Sequence, residues 1–229
     1  MGIIVTKNLH KVYTETKVPV FALNGVSITF DEAEFTAIVG PSGSGKTTLL
    51  NMIGGLDDPS EGEVHINGTN ITTLPSRRLI DFRLHHIGFV FQSYNLIPVL
   101  TARENVEFIM QLQGISKAER KTRAIELLEA VGLSDRCDNR PGDLSGGQQQ
   151  RVSVARALAS KPRFILADEP TANLDSKSTA ELLDIMQKMN EQYKTTFIFS
   201  THDQRVMERA RRIVTIEDGL VAKDVSFKV

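Results

Sequence analysis

A glycine-rich segment of the sequence has the residue types and spacing that bind the phosphates of a nucleotide. It fits the pattern G-x-x-x-x-G-K-[ST], follows an apolar run at 35–39, and consists of Gly40, Pro41, Ser42, Gly43, Ser44, Gly45, Lys46 and Thr47. Its glycines let successive backbone N–H groups point at anionic oxygens, and the helix expected after it adds a positive N-terminal end. A chain of this length would contain the pattern by chance in about one case in a hundred. We therefore predict a site for a nucleoside triphosphate.

The end of this phosphate loop, residues 40–47, would contact the nucleotide most directly. Lys46 would place its charge near the β- and γ-phosphates, and Thr47 would offer a hydroxyl to Mg²⁺. Thr48 is a further candidate contact. The alternative is a glycine-rich turn between a strand and a helix with an incidental lysine. The apolar run before the loop and the helical run 47–53 after it favour the nucleotide.

Two adjacent carboxylates, Asp168 and Glu169, follow the apolar run 164–167 and so stand at the end of a predicted buried strand. Ligands of open α/β sheets bind at such strand ends. Asp168 would hold Mg²⁺ through the waters that this ion retains. Glu169 would orient or deprotonate the attacking water. The alternative is an acidic helix N-cap, a position that Asp favours.

Alternating strand and helix patterns along the chain would position these residues. The first part has Asn-Gly turn signals at 24–25 and 67–68, and its predicted strands are 3–8, 26–30, 35–39, 63–66 and 87–91. Helical spacing then predicts helices at 101–114, 117–131 and 145–159. The last part returns to strand, helix and strand, with strands at 164–167, 195–200, 213–216 and 220–223 around a helix at 179–193.

This alternation predicts one α/β domain, in which a parallel sheet carries helices on both faces. A mostly helical lobe would be inserted into it, with seams near Gln92 and Lys161.

The composition is that of an ordinary globular protein, with 41% hydrophobic and 24% charged residues and a net charge of −1 over 229 residues. A near-neutral chain lacks the basic surface that drives nucleic-acid binding, so we expect no nucleic-acid partner. The single Cys137 excludes an intramolecular disulfide and fits a reducing compartment. The sequence shows neither a secretory signal nor an apolar run long enough to span a membrane. We expect a cytoplasmic protein whose membrane role, if it has one, is peripheral.

A second segment, Leu144-Ser145-Gly146-Gly147-Gln148, opens a predicted helix and would form another anion-binding helix terminus. We call it the signature segment. Taken alone, Ser145 would equally serve as a helix N-cap. The five residues, however, resemble the signature of ABC ATPases, a match expected by chance about once in several thousand chains of this size.

The resemblance to ABC cassettes covers essentially the whole chain, with the elements of the family in their expected order. Four further matches are Tyr13 for the aromatic that stacks on adenine, Gln92 for the glutamine at the seam, Asp175 for the D-loop aspartate and His202 for the switch histidine. Singly, each has a structural alternative: a strand aromatic, a surface polar residue, a helix cap and a structural histidine. Their ordered co-occurrence supports the family.

The resemblance implies the α/β fold of a P-loop NTPase ABC cassette in a single domain. This fold has a mixed-sheet core, an antiparallel β subdomain and an inserted α-helical subdomain. The core with its β subdomain would be residues 1–92 and 161–229. The helical subdomain, residues 93–160, would carry the signature segment.

The resemblance also implies ATP hydrolysis, with ATP and Mg²⁺ as cofactors, by a homodimer that sandwiches two ATP molecules. The implied catalytic residues are Glu169, His202 and Lys46. The implied metal ligands are Thr47, Gln92 and Asp168. The implied contacts to the nucleotide of the second copy are Ser145, Gly147 and Gln148, with Asp175 at the interface.

Shorter stretches, such as IGGLD at 53–57 and GFVFQ at 88–92, resemble the bacterial ATPases of the lipoprotein-release and macrolide-export group. The partners would be an integral membrane permease that transmits force and a periplasmic or extracellular adaptor. Residues 93–104, with Leu96 and Leu100, would form either a docking groove for the permease or local packing. A cell-division ATPase that performs no transport is the alternative that shares every motif.

Overall fold

The computed structural model describes residues 2–14 and 18–227, which fall into two compact units. The first unit lies within residues 1–83 and 196–229, and the second is Leu84–Thr195. The predicted division into a nucleotide-binding core (1–92 with 161–229) and a helical subdomain (93–160) stays a prediction, because compactness alone does not say which segments bind nucleotide.

The described residues form eleven strands and seven α-helices. The strands are β1 (Ile4–Tyr13), β2 (Val20–Val26), β3 (Thr29–Phe30), β4 (Phe35–Val39), β5 (Glu61–Ile66), β6 (Thr69–Asn70), β7 (Ile87–Val90), β8 (Phe164–Asp168), β9 (Thr196–Ser200), β10 (Arg212–Glu217) and β11 (Leu220–Ser226). The helices are α1 (Lys46–Ile53), α2 (Ser76–His86), α3 (Ala102–Leu112), α4 (Lys117–Ala130), α5 (Gly146–Ala159), α6 (Ser176–Tyr193) and α7 (Gln204–Arg209). Short 3₁₀ turns lie at Ile71–Thr73, Ser134–Arg136 and Pro141–Asp143.

An antiparallel sheet in the first unit has the order β2-β1-β5-β6, with β3 also paired to β1. Leu9 of β1 opposes Val26 of β2, and Ile4 opposes Ile66 of β5. All four side chains are buried. Such a sheet buries one face and leaves the other for polar residues.

The other sheet of the first unit places β4 between β9 and β10, parallel to both, with β11 antiparallel to β10. Every residue of β4 is buried, as its apolar sequence predicts for a strand covered on both faces. The ring centroid of Phe35 lies 4.6 Å from that of Phe199 and 5.8 Å from that of Phe197. This packing fixes the direction in which β4 delivers the phosphate loop.

The second unit combines the parallel pair β7 and β8 with helices α3 to α6. Helix α3 packs against α4 and α5, and α5 packs against β7. At Gly88 of β7 the backbone of α5 comes so close that a Cβ would lie 2.7 Å from the carbonyl oxygen of Ala157. Helices α3 and α5 both begin with a capping box, formed by Thr101 with Glu104 and by Ser145 with Gln148.

Two sequence-based predictions of local structure are wrong, and one helix was not predicted. The Asn-Gly pair at 24–25 is not a turn: it lies inside β2, where the register skips Gly25 and forms a bulge opposite Leu9 and His10. The predicted strand 26–30 therefore divides into the end of β2 and the short β3. Helix α2 was not predicted, because none of its side chains is buried and it lacks an apolar stripe.

Candidate functional site

The phosphate loop lies between β4 and α1, as its motif requires. Gly40 and Gly45 adopt φ angles of 150° and 104°. A Cβ at Gly40 would overlap the carbonyl of Ile216, and one at Gly45 would overlap the carbonyl of Ala22. These two positions therefore require glycine, and the loop closes tightly over the sheet edge.

The first turn of α1 is suited to an anion. Gly45 is its N-cap and makes no side-chain cap hydrogen bond, so the first backbone N–H groups of α1 have no capping oxygen from that residue. Within the described chain the Ser44 hydroxyl is buried and has no hydrogen-bond partner. An orphaned buried hydroxyl beside helix-terminal N–H groups fits a phosphate oxygen as its missing partner.

Lys46 is turned back over the phosphate loop. Its Nζ donates hydrogen bonds to the carbonyl oxygens of Gly40 and Pro41, at 2.9 and 2.8 Å, and the residue is only 8% exposed. An ammonium has three N–H donors, so a third remains for an anion in the loop. The buried charge is therefore placed where a phosphate would compensate it.

Tyr13 is the last residue of β1 and is linked to α1. Its hydroxyl donates a 2.8 Å hydrogen bond to Asp57 Oδ2 and is also hydrogen-bonded to Thr48. Burial, and then the hydrogen bond to Asp57, raise the pKa of Tyr13 above its ordinary value. The tyrosine therefore stays protonated and acts as the donor.

His202 follows β9 and is exposed. The preceding Thr201 donates its N–H to the carbonyl oxygen of Ile38 in β4 at 3.0 Å. Because β4 and β9 are parallel, His202 and the phosphate loop leave the same edge of the sheet. The first unit thus places the phosphate loop and His202 at one sheet edge, and a hydrogen bond joins Tyr13 to Thr48 of α1.

The second unit carries Gln92, Asp168 and Glu169 at a common edge. Strands β7 and β8 are parallel, with Val90 opposite Ala167, so Gln92 and Asp168 follow directly at the same end. Glu169 has a φ of 45°, a left-handed conformation that is rare for a residue with a side chain. Amide and carboxylate oxygens at one edge form a donor set that suits Mg²⁺.

Gln150 of α5 is a residue that the sequence analysis missed. It is fully buried, and its amide nitrogen donates to the carbonyl oxygens of Phe91 at 3.3 Å and Pro170 at 2.8 Å. These carbonyls adjoin Gln92 and Glu169, so one side chain fastens both segments to α5. A glutamine four residues before the buried Val154 on one helix face was the available signal.

The signature segment begins α5 through local hydrogen bonds. Ser145 Oγ accepts the N–H of Gln148 at 3.3 Å, and Gln148 Oε1 accepts the N–H of Ser145 at 2.8 Å. A Cβ on Gly147 would lie 2.9 Å from Ser178 Oγ, so the first turns of α5 and α6 are in contact.

Asp175 caps α6. Its carboxylate accepts the N–H of Ser178 at 2.9 Å and the hydroxyl of Ser178 at 2.7 Å. The backbone hydrogen bond from Ser178 lowers the pKa of Asp175. Asp175 and Ser145 therefore both make the hydrogen bonds of a helix N-cap, which is the structural alternative for each of them. Their roles towards a second copy stay predictions.

Two absences hold for the described part of the chain. Within residues 2–14 and 18–227, no three side chains of His, Cys, Asp or Glu form a group that would hold a metal ion. The set of Thr47, Gln92 and Asp168 as Mg²⁺ ligands is of another kind and stays a prediction. Over the same residues, none of the helices has the length and apolarity needed to cross a membrane.

Comparison with known proteins gives consistent matches. The family model described as ABC transporter matches residues 23–172. An uncharacterized ABC transporter ATP-binding protein of Thermotoga maritima is 52% identical over 92% of this chain and 90% of its own. The macrolide export ATP-binding/permease protein MacB of Rhodopirellula baltica is 44% identical over 89% of this chain, which aligns with 30% of that protein.

A solved structure is similar over nearly the whole chain. It is the ATP-binding cassette MJ0796, a protein of Methanocaldococcus jannaschii, described as a dimeric post-hydrolysis state bound to ADP and Pi. The TM-score is 0.91 at 43% identity, covering 99% of both chains.

The phosphate loop should bind tripolyphosphate without a nucleoside. At a hundred times its dissociation constant, this ligand should stabilise the protein by about 2.7 kcal/mol and raise Tm by about 5–10 °C. Lys46→Met should lose most of this shift because the buried ammonium is gone. Thermal unfolding measures both, and Lys121→Met, on the exposed face of α4, is the control. An unchanged shift in Lys46→Met would contradict the anion site.

Proposed function

Since the chain belongs to the ABC transporter family and is one of its ATP-hydrolysing subunits, with the α/β cassette fold, we propose that it acts as an ATP-sandwich homodimer that powers a membrane permease. The observation that carries the proposal is the phosphate loop. There the Lys46 ammonium is buried, the buried Ser44 hydroxyl has no hydrogen-bond partner among the described residues, and the first turn of α1 has no side-chain cap.

Hydrolysis in this proposal is performed by residues at the ends of parallel strands. Lys46 binds the β- and γ-phosphates and Glu169 removes a proton from the attacking water, while His202 contacts the γ-phosphate. The backbone at Glu169 has a left-handed conformation, and the hydrogen bond from Gln150 to the carbonyl oxygen of the next residue, Pro170, holds it there. Preorganisation of this kind lowers the barrier because little reorientation is needed at the moment of reaction.

Nucleotide binding in this proposal also uses the remaining loop residues and Tyr13. Mg²⁺, held by Thr47, Gln92 and Asp168, would neutralise charge that develops on the phosphate oxygens. The Tyr13 ring would stack on the adenine base, and Thr48 would line the site beside it. The side chain of Gln92 is exposed, and the hydrogen bond from Asn173 to its carbonyl oxygen, at 3.1 Å, holds its backbone.

The signature segment supports the dimer. Ser145 is exposed at the N-terminus of α5, and Gly147 and Gln148 lie in the first turn, where N–H groups favour an anion. In a two-fold pair, each copy would present this turn to the γ-phosphate of the other, with Asp175 at the interface. The similar cassette MJ0796, whose solved structure is described as dimeric, supports the formation of a dimer.

The segment 93–104 supports a contact with the permease. Its neighbourhood contains an apolar cavity of about 300 Å³ whose lining includes Phe89, Phe91, Ile97, Phe108 and Ile109. Val99 in this segment is outside the cavity lining and is 71% exposed. We propose that a permease segment docks on residues 93–104 and contacts Val99.

Local packing holds the backbone of that segment in place. The buried Asn105 exchanges hydrogen bonds with Ile97, accepting its N–H at 2.8 Å and donating to its carbonyl at 3.1 Å. Arg156 donates to the carbonyl of Tyr94 at 2.8 Å. Leu96 and Leu100 are half-buried, so they contribute to packing, and Val99 is the better probe of docking.

The finer assignment follows the macrolide-export relatives. We propose a permease that transmits force across the membrane, an adaptor outside the cytoplasm, and a subunit placed at the cytoplasmic face of the membrane. The name of MacB, macrolide export ATP-binding/permease protein, supports a permease as the partner. A cell-division ATPase remains the second candidate, and the membrane protein that co-purifies distinguishes the two.

Glu169→Gln should abolish turnover while ATP still binds. The amide cannot accept the proton of the attacking water, so the rate should fall by about 10²–10⁴-fold. Phosphate release measures turnover, and equilibrium binding measures affinity for ATP. Glu181→Gln, exposed on α6, is the matched control and should hydrolyse normally. Normal hydrolysis by Glu169→Gln would remove Glu169 from the mechanism.

The Glu169→Gln variant should form a dimer in ATP and a monomer without it. A further Ser145→Glu substitution should prevent dimer formation, because a carboxylate would then face the γ-phosphate of the other copy. Ser134→Glu adds the same charge at an exposed position outside the signature segment. Sedimentation velocity distinguishes the species, and a monomer of Glu169→Gln in saturating ATP would contradict the sandwich.

Val99→Asp should weaken docking to the permease. In the Glu169→Gln background, we expect the amount of co-purifying membrane protein to fall about tenfold, the effect of losing roughly 1.4 kcal/mol of contact. Leu112→Asp, at an exposed position on α3, is the control. Equal yields of membrane protein for Val99→Asp and the control would favour the packing interpretation.

A further inference from the structure

A group of side chains outside the phosphate loop surrounds the Tyr13 hydroxyl. We call Lys11, Tyr13 and Asp57 the tyrosine anchor. We propose that Asp57 is a positioning residue, which fixes the Tyr13 ring and thereby makes the site prefer a phosphate ligand that carries a base. This inference rests on the proposed role of Tyr13 as the ring on which the base stacks.

The Asp57 carboxylate is held at both oxygens. Oδ2 accepts the Tyr13 hydroxyl at 2.8 Å, and Oδ1 accepts the Lys11 ammonium at 2.6 Å. Oδ1 also accepts the N–H of Asp58 at 2.8 Å. A carboxylate with partners on both oxygens cannot rotate freely, so it offers the tyrosine one fixed acceptor position.

Protonation keeps the donor and acceptor roles fixed. Burial raises the pKa of Asp57, but the hydrogen bonds from Lys11 and Tyr13 outweigh it and hold this pKa below its ordinary value. Because the folded-state pKa is lowered, the carboxylate acceptor is present at neutral pH and is lost only as the pH falls through that value. Asp57 therefore accepts and Tyr13 donates throughout the neutral range.

Lys11 selects the face of the ring that a base would use. Its Nζ lies 4.8 Å from the ring centroid of Tyr13, a cation–π distance, and its side chain is only 13% exposed. A second hydrogen bond, to the carbonyl of Asp58 at 2.7 Å, holds the ammonium there. With one face covered by Lys11, a base would stack on the opposite face.

The anchor is tied to the helix that follows the phosphate loop. Thr48, hydrogen-bonded to the tyrosine hydroxyl, is the third residue of α1. Asp57 follows the turn that ends α1, where the N–H of Leu56 bonds to the carbonyl of Asn51 at 2.9 Å. The position of the ring is therefore set relative to α1, at whose start the phosphates would bind.

The test compares ADP with inorganic pyrophosphate, which has the phosphates of ADP but no base. Asp57→Leu should weaken ADP binding about tenfold, within the range that base–aromatic stacking contributes. Pyrophosphate binding should stay the same. Asp57→Asn keeps only one of the two acceptor oxygens, so it should lose less ADP affinity than Asp57→Leu without regaining all of it. Isothermal titration calorimetry on the full chain measures each affinity.

Asp58→Asn is the matched control, since it removes the same charge from the next residue, which is exposed. Tyr13→Ala is the reference, and adding Asp57→Leu to it should cause no further loss of ADP affinity. Equal weakening of ADP and pyrophosphate by Asp57→Leu, or an Asp58→Asn effect of the same size, would overturn the inference.

The outcomes also separate this inference from the proposed function. If Tyr13→Ala weakens ADP binding and Asp57→Leu and Asp57→Asn do not, Asp57 has no positioning role and the stacking role of Tyr13 stands. If Tyr13→Ala leaves ADP binding unchanged, stacking on Tyr13 is wrong and the inference fails with it.

Discussion

The first unit depends on a buried cation held by its own loop. Lys46 keeps a full charge at a position that is 8% exposed, where an ammonium without hydrogen-bond acceptors would be costly. The carbonyls of Gly40 and Pro41 supply those acceptors. They point inward only because Gly40 allows the backbone to turn at the edge of a strand that is buried on both faces. The buried strand β4, Gly40 and Lys46 therefore depend on one another.

In the second unit the neutral side chain of Gln150 has a comparable structural role. Gln150 uses both N–H groups of its amide to join the segment after β7 and the segment after β8 to α5. Its Oε1 is buried and, among the described residues, has no partner. A single amide thus connects the signature helix to the segments that contain Gln92 and Glu169. A movement of α5 would reach both through hydrogen bonds rather than through loose packing.

The sequence predicted best those features that depend on neighbouring residues. The phosphate loop, its strand β4 and the carboxylates after β8 follow from local spacing, and the order of motifs identified the family. Prediction was poorer where distant residues decide the outcome. The Asn-Gly pair at 24–25 became a bulge because β1 pairs across it, and Asp57 reaches Tyr13 across 44 positions of sequence. The helical spacing could have indicated that Gln150 is buried, but its hydrogen bonds depend on the segments after β7 and β8, which are distant in sequence.

The capping box of the signature segment has a consequence for the release of bound nucleotide. Ser145 and Gln148 already satisfy each other's backbone N–H groups. To contact a phosphate from a second copy, the side chains of Ser145 and Gln148 must break these hydrogen bonds before they form new ones. The net gain on closing is therefore smaller than the number of contacts suggests. When the phosphate leaves the proposed dimer, the capping box would re-form, so opening would leave neither of these two backbone N–H groups unpaired.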